Sequence, residues 1–155
     1  MSKIDLVDKT VKLLVVDDHQ VTRGMIKTIL RGVGFVNVFT ADSGSLAMEV
    51  IEKENIEMVV CDWNMPNGSG LDLLRELRAD EKYKQLPFIM LTAEAYKENI
   101  TEAIKAGVSE YIAKPFTSDV LINKVANVWF RKKSGARQHV EGEGDETETE
   151  GTPET

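Results

Sequence analysis

Five short apolar runs, each followed by a longer segment whose apolar residues recur at helical spacing, constrain the fold more than any other feature of this chain. The runs are Lys12 to Val16, Asn37 to Ala41, Met58 to Asp62, Phe88 to Thr92 and Glu110 to Ala113, four to five residues each and rich in Val, Ile and Phe. They read as strands. Helices are expected at about Gln20 to Val33, Ser45 to Glu54, Leu71 to Ala79 and Glu98 to Ala106, with a fifth starting near Ser118. Gly34 and Gly107 end two of them, and Asp42, Ser43 and Gly44 supply a turn before the second. Leu121, Val125 and Val128 recur at i, i+4, i+7, which should turn them toward a sheet. Strand-then-helix alternation of this kind is the signature of an α/β domain, a parallel sheet with helices on both faces.

A chain of 155 residues accommodates one such domain and no second one. The expected layout is an N-terminal extension over residues 1–10, the domain over 11–133, and a tail over 134–155. Seven acids and no base lie in residues 141–155, and setting them aside leaves 19 acids against 19 bases. The net charge of -7 is therefore the property of a tail rich in Glu, Gly and Thr, expected to be disordered because it has too little apolar surface to offset its ordering entropy. The near-neutral body has no extended basic stripe, which argues against nucleic-acid binding. No apolar run approaches the about 20 residues of a membrane span, and a signal-peptide core is absent, so a cytoplasmic protein is expected. Cys61 is the only cysteine and adjoins Val59 and Val60, so a buried, structural thiol is expected.

In an open parallel sheet, ligands bind outside the carboxyl ends of the strands. The polar residues that end the apolar runs are Asp17 and Asp18, Asp62, Thr92 and Lys114. Singly, each reads as the first residue of its strand to reach water. Together, from four strands, they would share one rim. Three crowded carboxylates repel one another, and proton uptake or a divalent cation relieves that repulsion. Hard oxygen donors with room for water suit Mg2+. A carboxylate can attack phosphorus to form an acyl phosphate, a transfer governed by positioning and charge neutralisation. Lys114 would supply positive charge, while the Thr92 hydroxyl and the Ala93 N–H would donate hydrogen bonds.

These residues resemble a known set, and Met65-Pro66 followed by Gly70 keeps that set's spacing after Asp62. Asp17-Asp18, Asp62-Trp63-Asn64-Met65-Pro66, Thr92-Ala93 and Lys114-Pro115-Phe116 are similar to the motifs of bacterial response-regulator receiver domains over about residues 10 to 133. The likeness is greatest to the chemotaxis regulators of the CheY type, through Leu14 to Asp18, Asp62 to Asn67, Thr92-Ala93-Glu94 and Lys97 to Ile100. The resemblance implies a single flavodoxin-like (βα)5 domain with strand order 2-1-3-4-5, acting as a monomeric signalling switch and not as a conventional enzyme. Asp62 would be the phosphoacceptor, and Mg2+ would be held by Asp18, Asp62 and the Asn64 backbone carbonyl, with Asp17 assisting through water. Thr92 and Tyr111 would form the switch pair, and the Lys114-Pro115 peptide would be cis. A histidine kinase of the CheA type would donate the phosphoryl group, and a flagellar motor switch protein of the FliM type would read it.

Several residues depart from the CheY-like pattern. His19 follows the acidic pair where that pattern has an aromatic, and reads as a helix-start residue near the rim or as a metal ligand. Tyr96, the Val128 to Arg131 segment and the acidic tail also differ. Three other readings stay open. A phosphorelay carrier or phosphate sink would use the same chemistry without a motor partner. A haloacid-dehalogenase-like phosphatase needs a general acid two residues after its nucleophile, and Asn64 cannot give and recover a proton in that way. A flavodoxin would place a flavin phosphate against Asp17, Asp18 and His19, whose acids would repel it.

Overall fold

The computed structural model describes residues 2–65, 68–93 and 97–135. Its five main strands have the bounds expected from the apolar runs: β1 Lys12–Val16, β2 Asn37–Ala41, β3 Met58–Asp62, β6 Phe88–Thr92 and β7 Glu110–Ala113. Between β3 and β6 lies a feature the periodicity does not announce, a small antiparallel pair formed by β4 Asn64–Met65 and β5 Gly68–Ser69. The helices are α1 Gln20–Gly32, α2 Gly44–Glu54, α3 Gly70–Arg78, α4 Lys97–Lys105 and α5 Ser118–Lys133. The first four begin or end within a residue or so of expectation. All five main strands are parallel, in the order β2-β1-β3-β6-β7. With the short pair set aside, this is the order 2-1-3-4-5.

The sheet is buried on both faces because successive strand residues point to opposite sides. Leu13, Val15, Val60, Ile89 and Leu91 pack under α1 and α5, against Ile26, Leu30, Leu121 and Val125. Leu14, Val16, Val59, Cys61 and Met90 pack on the other side, against α2 and α3 through Ile51, Leu74 and Leu77. Leu121, Val125 and Val128 are fully buried, as their spacing requires. Cys61 is buried too, and desolvation, helped by the charges of Asp62 and Asp17, pushes its thiol well above the ordinary value. It is an inert packing residue.

Local capping explains where the helices start. The Ser43, Ser69 and Thr117 hydroxyls accept from the N–H groups of Leu46, Asp72 and Val120. Asp72 completes a capping box on α3 by accepting from the Ser69 N–H. Two other features were not legible in the periodicity. A 3-10 helix, Lys3–Leu6, brings Ile4 and the following Val7 into the α1/α5 side of the core, and Lys3 donates to Asn127 at 2.8 Å. Arg78, half-buried at the end of α3, donates to the Gly107 carbonyl at 2.8 Å and the Tyr83 carbonyl at 3.0 Å. Burial lowers its pKa to about 10. The segment 136–155, including the acidic tail and Arg137, lies outside the described residues, as do Pro66, Asn67, Glu94 and Tyr96.

Candidate functional site

Strand register decides which polar residues meet. Val16 lies beside Cys61, Asp62 beside Leu91, and Thr92 beside Ala113. The residues that follow these apolar pairs, Asp17 and Lys114, therefore emerge on the same rim as Asp62 and Thr92, at the carboxyl ends of β1, β3, β6 and β7. A parallel sheet makes this possible, since all its strands finish on one edge.

Asp17 is wholly buried and fixed from three directions. Its N–H donates to the Ala41 carbonyl at 3.1 Å, its own carbonyl accepts from Arg23 at 2.7 Å, and its Oδ1 accepts the His19 N–H at 2.8 Å. The second oxygen, Oδ2, is buried without a hydrogen bond, and the Lys114 ammonium 3.9 Å away is too far to supply one. Asp18 Oδ1 is in the same condition: His19 Nδ1 lies 3.3 Å away, but not in hydrogen-bonding geometry. Buried carboxylate oxygens are costly when left unpaired. Two of them, on consecutive residues, mark a place where positive charge is wanted.

Asp62 ends β3 at 2% exposure, and Lys114 Nζ reaches its Oδ1 at 3.0 Å. Burial pushes the Asp62 carboxyl above its usual range. The hydrogen bond and charge of Lys114 oppose that rise, and the Asp17 and Asp18 charges add to it. The backbone behind Asp62 is held closely. Trp63 donates to the Leu91 carbonyl at 2.7 Å, and Gly70 donates to the Trp63 carbonyl at 2.8 Å. A Cβ on Gly70 would overlap the Asp62 carbonyl oxygen, so only glycine lets α3 begin so close to the acid. The Gly70 spacing after Asp62 was visible in the sequence; the contact that demands it was not.

The remaining expected residues fall around this centre. Thr92 is buried at the end of β6, and its carbonyl accepts the Lys114 N–H at 2.7 Å, which ties the two strand ends together. Ala93 follows at the exposed lip. The Lys114-Pro115 peptide is cis, as the resemblance implies. Asn64 is exposed and lines a shallow depression of about 390 Å³ with Asp18, His19, Met65, Gly68 and Ser69. Tyr111 is half-buried on β7, an edge strand, where it packs against the α2/α3 side of the core. A larger cavity of about 600 Å³ lies at the opposite, amino-terminal end of the strands, near Val11, Met58 and Pro87. Size does not choose the site here; the converging acids and the lysine do.

Asp17, Asp18, His19 and Asp62 each offer one ligand atom, all within 4.8 Å of one another. Three hard carboxylate donors, two with unpartnered oxygens, suit a divalent cation of the Mg2+ class. Lys114 Nζ, 3.0 Å from Asp62 Oδ1 and 3.9 Å from Asp17 Oδ2, brings a positive charge to the same cluster. Such an arrangement can hold an anionic phosphoryl group against the acid.

Comparison with known proteins finds clear relatives. The response regulator receiver domain family matches residues 13–126. The chain is 47% identical over 120 residues to the chemotaxis protein CheY of Pseudomonas aeruginosa, covering 77% of this chain and 97% of that protein. It is 45% identical over 126 residues to chemotaxis protein CheY-3 of Vibrio cholerae, covering 81% and 97%. Among solved structures, chemotaxis response regulator CheY4 of Vibrio cholerae superposes with a TM-score of 0.72 at 30% identity, covering 77% of this chain and 98% of that one. A response regulator receiver domain protein of Clostridium thermocellum gives 0.73 at 34%, covering 80% and 98%. With the fold, the rim of acids and these likenesses in agreement, the chain belongs to the response regulator receiver domain family.

Proposed function

We propose that this protein is a cytoplasmic, monomeric signalling switch whose Asp62 takes a phosphoryl group from a phosphohistidine of a CheA-like histidine kinase. One observation carries the reading: a buried carboxylate bonded to Lys114 at 3.0 Å, beside two acids with unpartnered buried oxygens. The Asp62 carboxylate attacks phosphorus, forming a P–O bond as the P–N bond to the donor imidazole breaks. The nitrogen keeps the electron pair, and Asp62 becomes an acyl phosphate. Asp18, Asp62 and the Asn64 carbonyl would hold Mg2+, with Asp17 assisting through water, and the ion would supply charge neutralisation for the phosphoryl oxygens. Lys114 neutralises charge from the opposite side, and the Thr92 hydroxyl and Ala93 N–H donate to the phosphoryl group.

Asn64, two residues after the acceptor, cannot act as a general acid, so the protein keeps its phosphoryl group longer than a phosphatase would. In the phosphorylated state Thr92 moves toward the phosphoryl group and Tyr111 turns inward, changing the surface of α4, β7 and α5. The shift in population is no greater than the preference of the phosphoryl group for one state. The relatives named as chemotaxis proteins favour a chemotaxis role, with a FliM-like flagellar motor switch protein as the partner.

The test is mass spectrometry after incubation with a small acyl phosphate and Mg2+. One phosphoryl group should be added, and Asp62→Asn should abolish the addition. Retention in that variant, or sustained turnover of a generic phosphomonoester, would overturn the proposal.

A further inference from the structure

Among the described residues, the imidazole of His19 is the one metal-ligating nitrogen grouped with the carboxylate cluster. Its side chain is 72% exposed, and although His19 occupies the N-cap of α1, it makes no side-chain capping bond. Helix capping therefore does not explain why its ring sits where it does. Nδ1 lies 3.3 Å from Asp18 Oδ1 and 3.5 Å from Asp17 Oδ1. In a tetrahedral site with bonds of about 2.0–2.1 Å, neighbouring donor atoms stand about 3.3–3.4 Å apart. The imidazole nitrogen thus stands from both carboxylates at close to the separation of two ligands of one small dication. Positive charge is called for there beyond the Lys114 ammonium, which stands 3.9 Å from Asp17 Oδ2. Asp18 Oδ1 is buried and lacks a hydrogen bond, and so does Asp17 Oδ2, on a side chain of 0% exposure.

Oxygen-only sites of few ligands suit Mg2+, whereas imidazole favours Zn2+, Ni2+ and Cu2+. We infer that His19 Nδ1 is an additional ligand of this rim and makes it a site for a borderline transition dication such as Zn2+ as well as for Mg2+. The inference rests on the reading of the rim as a dication site, and the expected consequence is confined to metal preference. Removing the imidazole should weaken Zn2+ binding while leaving the carboxylate contribution to Mg2+ binding intact. The backbone N–H of His19, which bonds Asp17, is retained by any replacement.

The experiment is calorimetric titration of the full chain with ZnCl2 and, separately, MgCl2, on the wild type, His19→Gln and His139→Gln. The chain has two histidines and a single, buried cysteine, so few other soft donors compete. Loss of an outer-shell partner of a metal ligand typically costs about 10–100-fold in affinity, so loss of the ligand itself should weaken Zn2+ binding by about tenfold or more in His19→Gln. Mg2+ binding should stay within about twofold across the three proteins. In 15N spectra of the histidines, Zn2+ should shift the Nδ1 resonance of His19. Equal Zn2+ affinity in wild type and His19→Gln, with Mg2+ binding intact, would overturn the role of His19 and leave it a helix-start residue. Weakening in His139→Gln alone would overturn it also. Failure of the wild type to bind either ion would instead reject the dication site on which the inference rests.

Discussion

Replacing Asp62 by asparagine should stabilise the fold in magnesium-free buffer, although the change removes an ion pair. The Asp17, Asp18 and Asp62 donor atoms lie within 4.8 Å of one another, and Lys114 lies 3.0 Å from Asp62. At an effective dielectric of about 20, each carboxylate repels Asp62 by about 3.5 kcal/mol and Lys114 attracts it by about 5.5 kcal/mol. Asp18 and Lys114 are 25% and 23% exposed, so solvent screens both to a similar degree and the balance remains repulsive. Desolvation of the Asp62 carboxylate adds to it. Asparagine keeps an oxygen that can accept from Lys114. The variant should therefore gain about 1–2 kcal/mol, equivalent to roughly 3–6 °C in Tm for a chain of this size. Burial raises the folded-state pKa of Asp62, so the folded state disfavours the carboxylate. Its contribution to stability is most favourable below the ordinary aspartate value and is lost as pH rises through the raised one. The difference between variant and wild type should accordingly be largest at neutral pH and shrink on acidification. Added Mg2+ at about 100 times its Kd should stabilise the wild type by about 2.7 kcal/mol, and the variant by less. Thermal melts in chelator and in MgCl2 read all of this. Destabilisation of Asp62→Asn at neutral pH without Mg2+ would refute the account of the rim as a site of net, uncompensated negative charge.

Further substitutions probe the supports of the site and its output. Gly70→Ala forces a Cβ onto the Asp62 carbonyl, and should cost about 1–3 kcal/mol in urea unfolding and weaken Mg2+ binding; wild-type values for both would refute the close approach. Arg78→Met removes the donors to the Gly107 and Tyr83 carbonyls, and should cost about 2–3 kcal/mol in the same assay, whereas a loss below experimental error would show that the two carbonyls find other donors. Tyr111→Ala should leave acyl-phosphate incorporation at Asp62 intact and lower phosphorylation-dependent binding to a motor-switch peptide. Affinity for that peptide that never depends on phosphorylation, even in the wild type, would favour a phosphorelay carrier or phosphate sink.

The apolar runs by themselves determined the five main strands, whose bounds fall at, or one residue short of, a polar residue or a proline. Burial of a strand residue and solvation of its polar neighbour are local events, and local chemistry is written in consecutive residues. The same local logic placed Leu121, Val125 and Val128 on the sheet and Cys61 in the core, and the strand-end set carried the receiver resemblance. Other features depend on contacts between distant segments. Ile4 and Val7 enter the core because the 3-10 helix lies against α5, more than a hundred residues away in sequence. Arg78 reads as a surface arginine until the Tyr83 and Gly107 carbonyls close over it. At the rim, the sequence named the acids and the lysine, but only tertiary structure decided which charges are compensated. Lys114 is bonded to Asp62 and stands beyond hydrogen-bonding distance of Asp17, whose second oxygen is left without a hydrogen bond. That difference of under an ångström depends on strand register and on the loops that follow β1, β3 and β7, and such spacing is set by packing of the whole sheet, which no single stretch of residues contains.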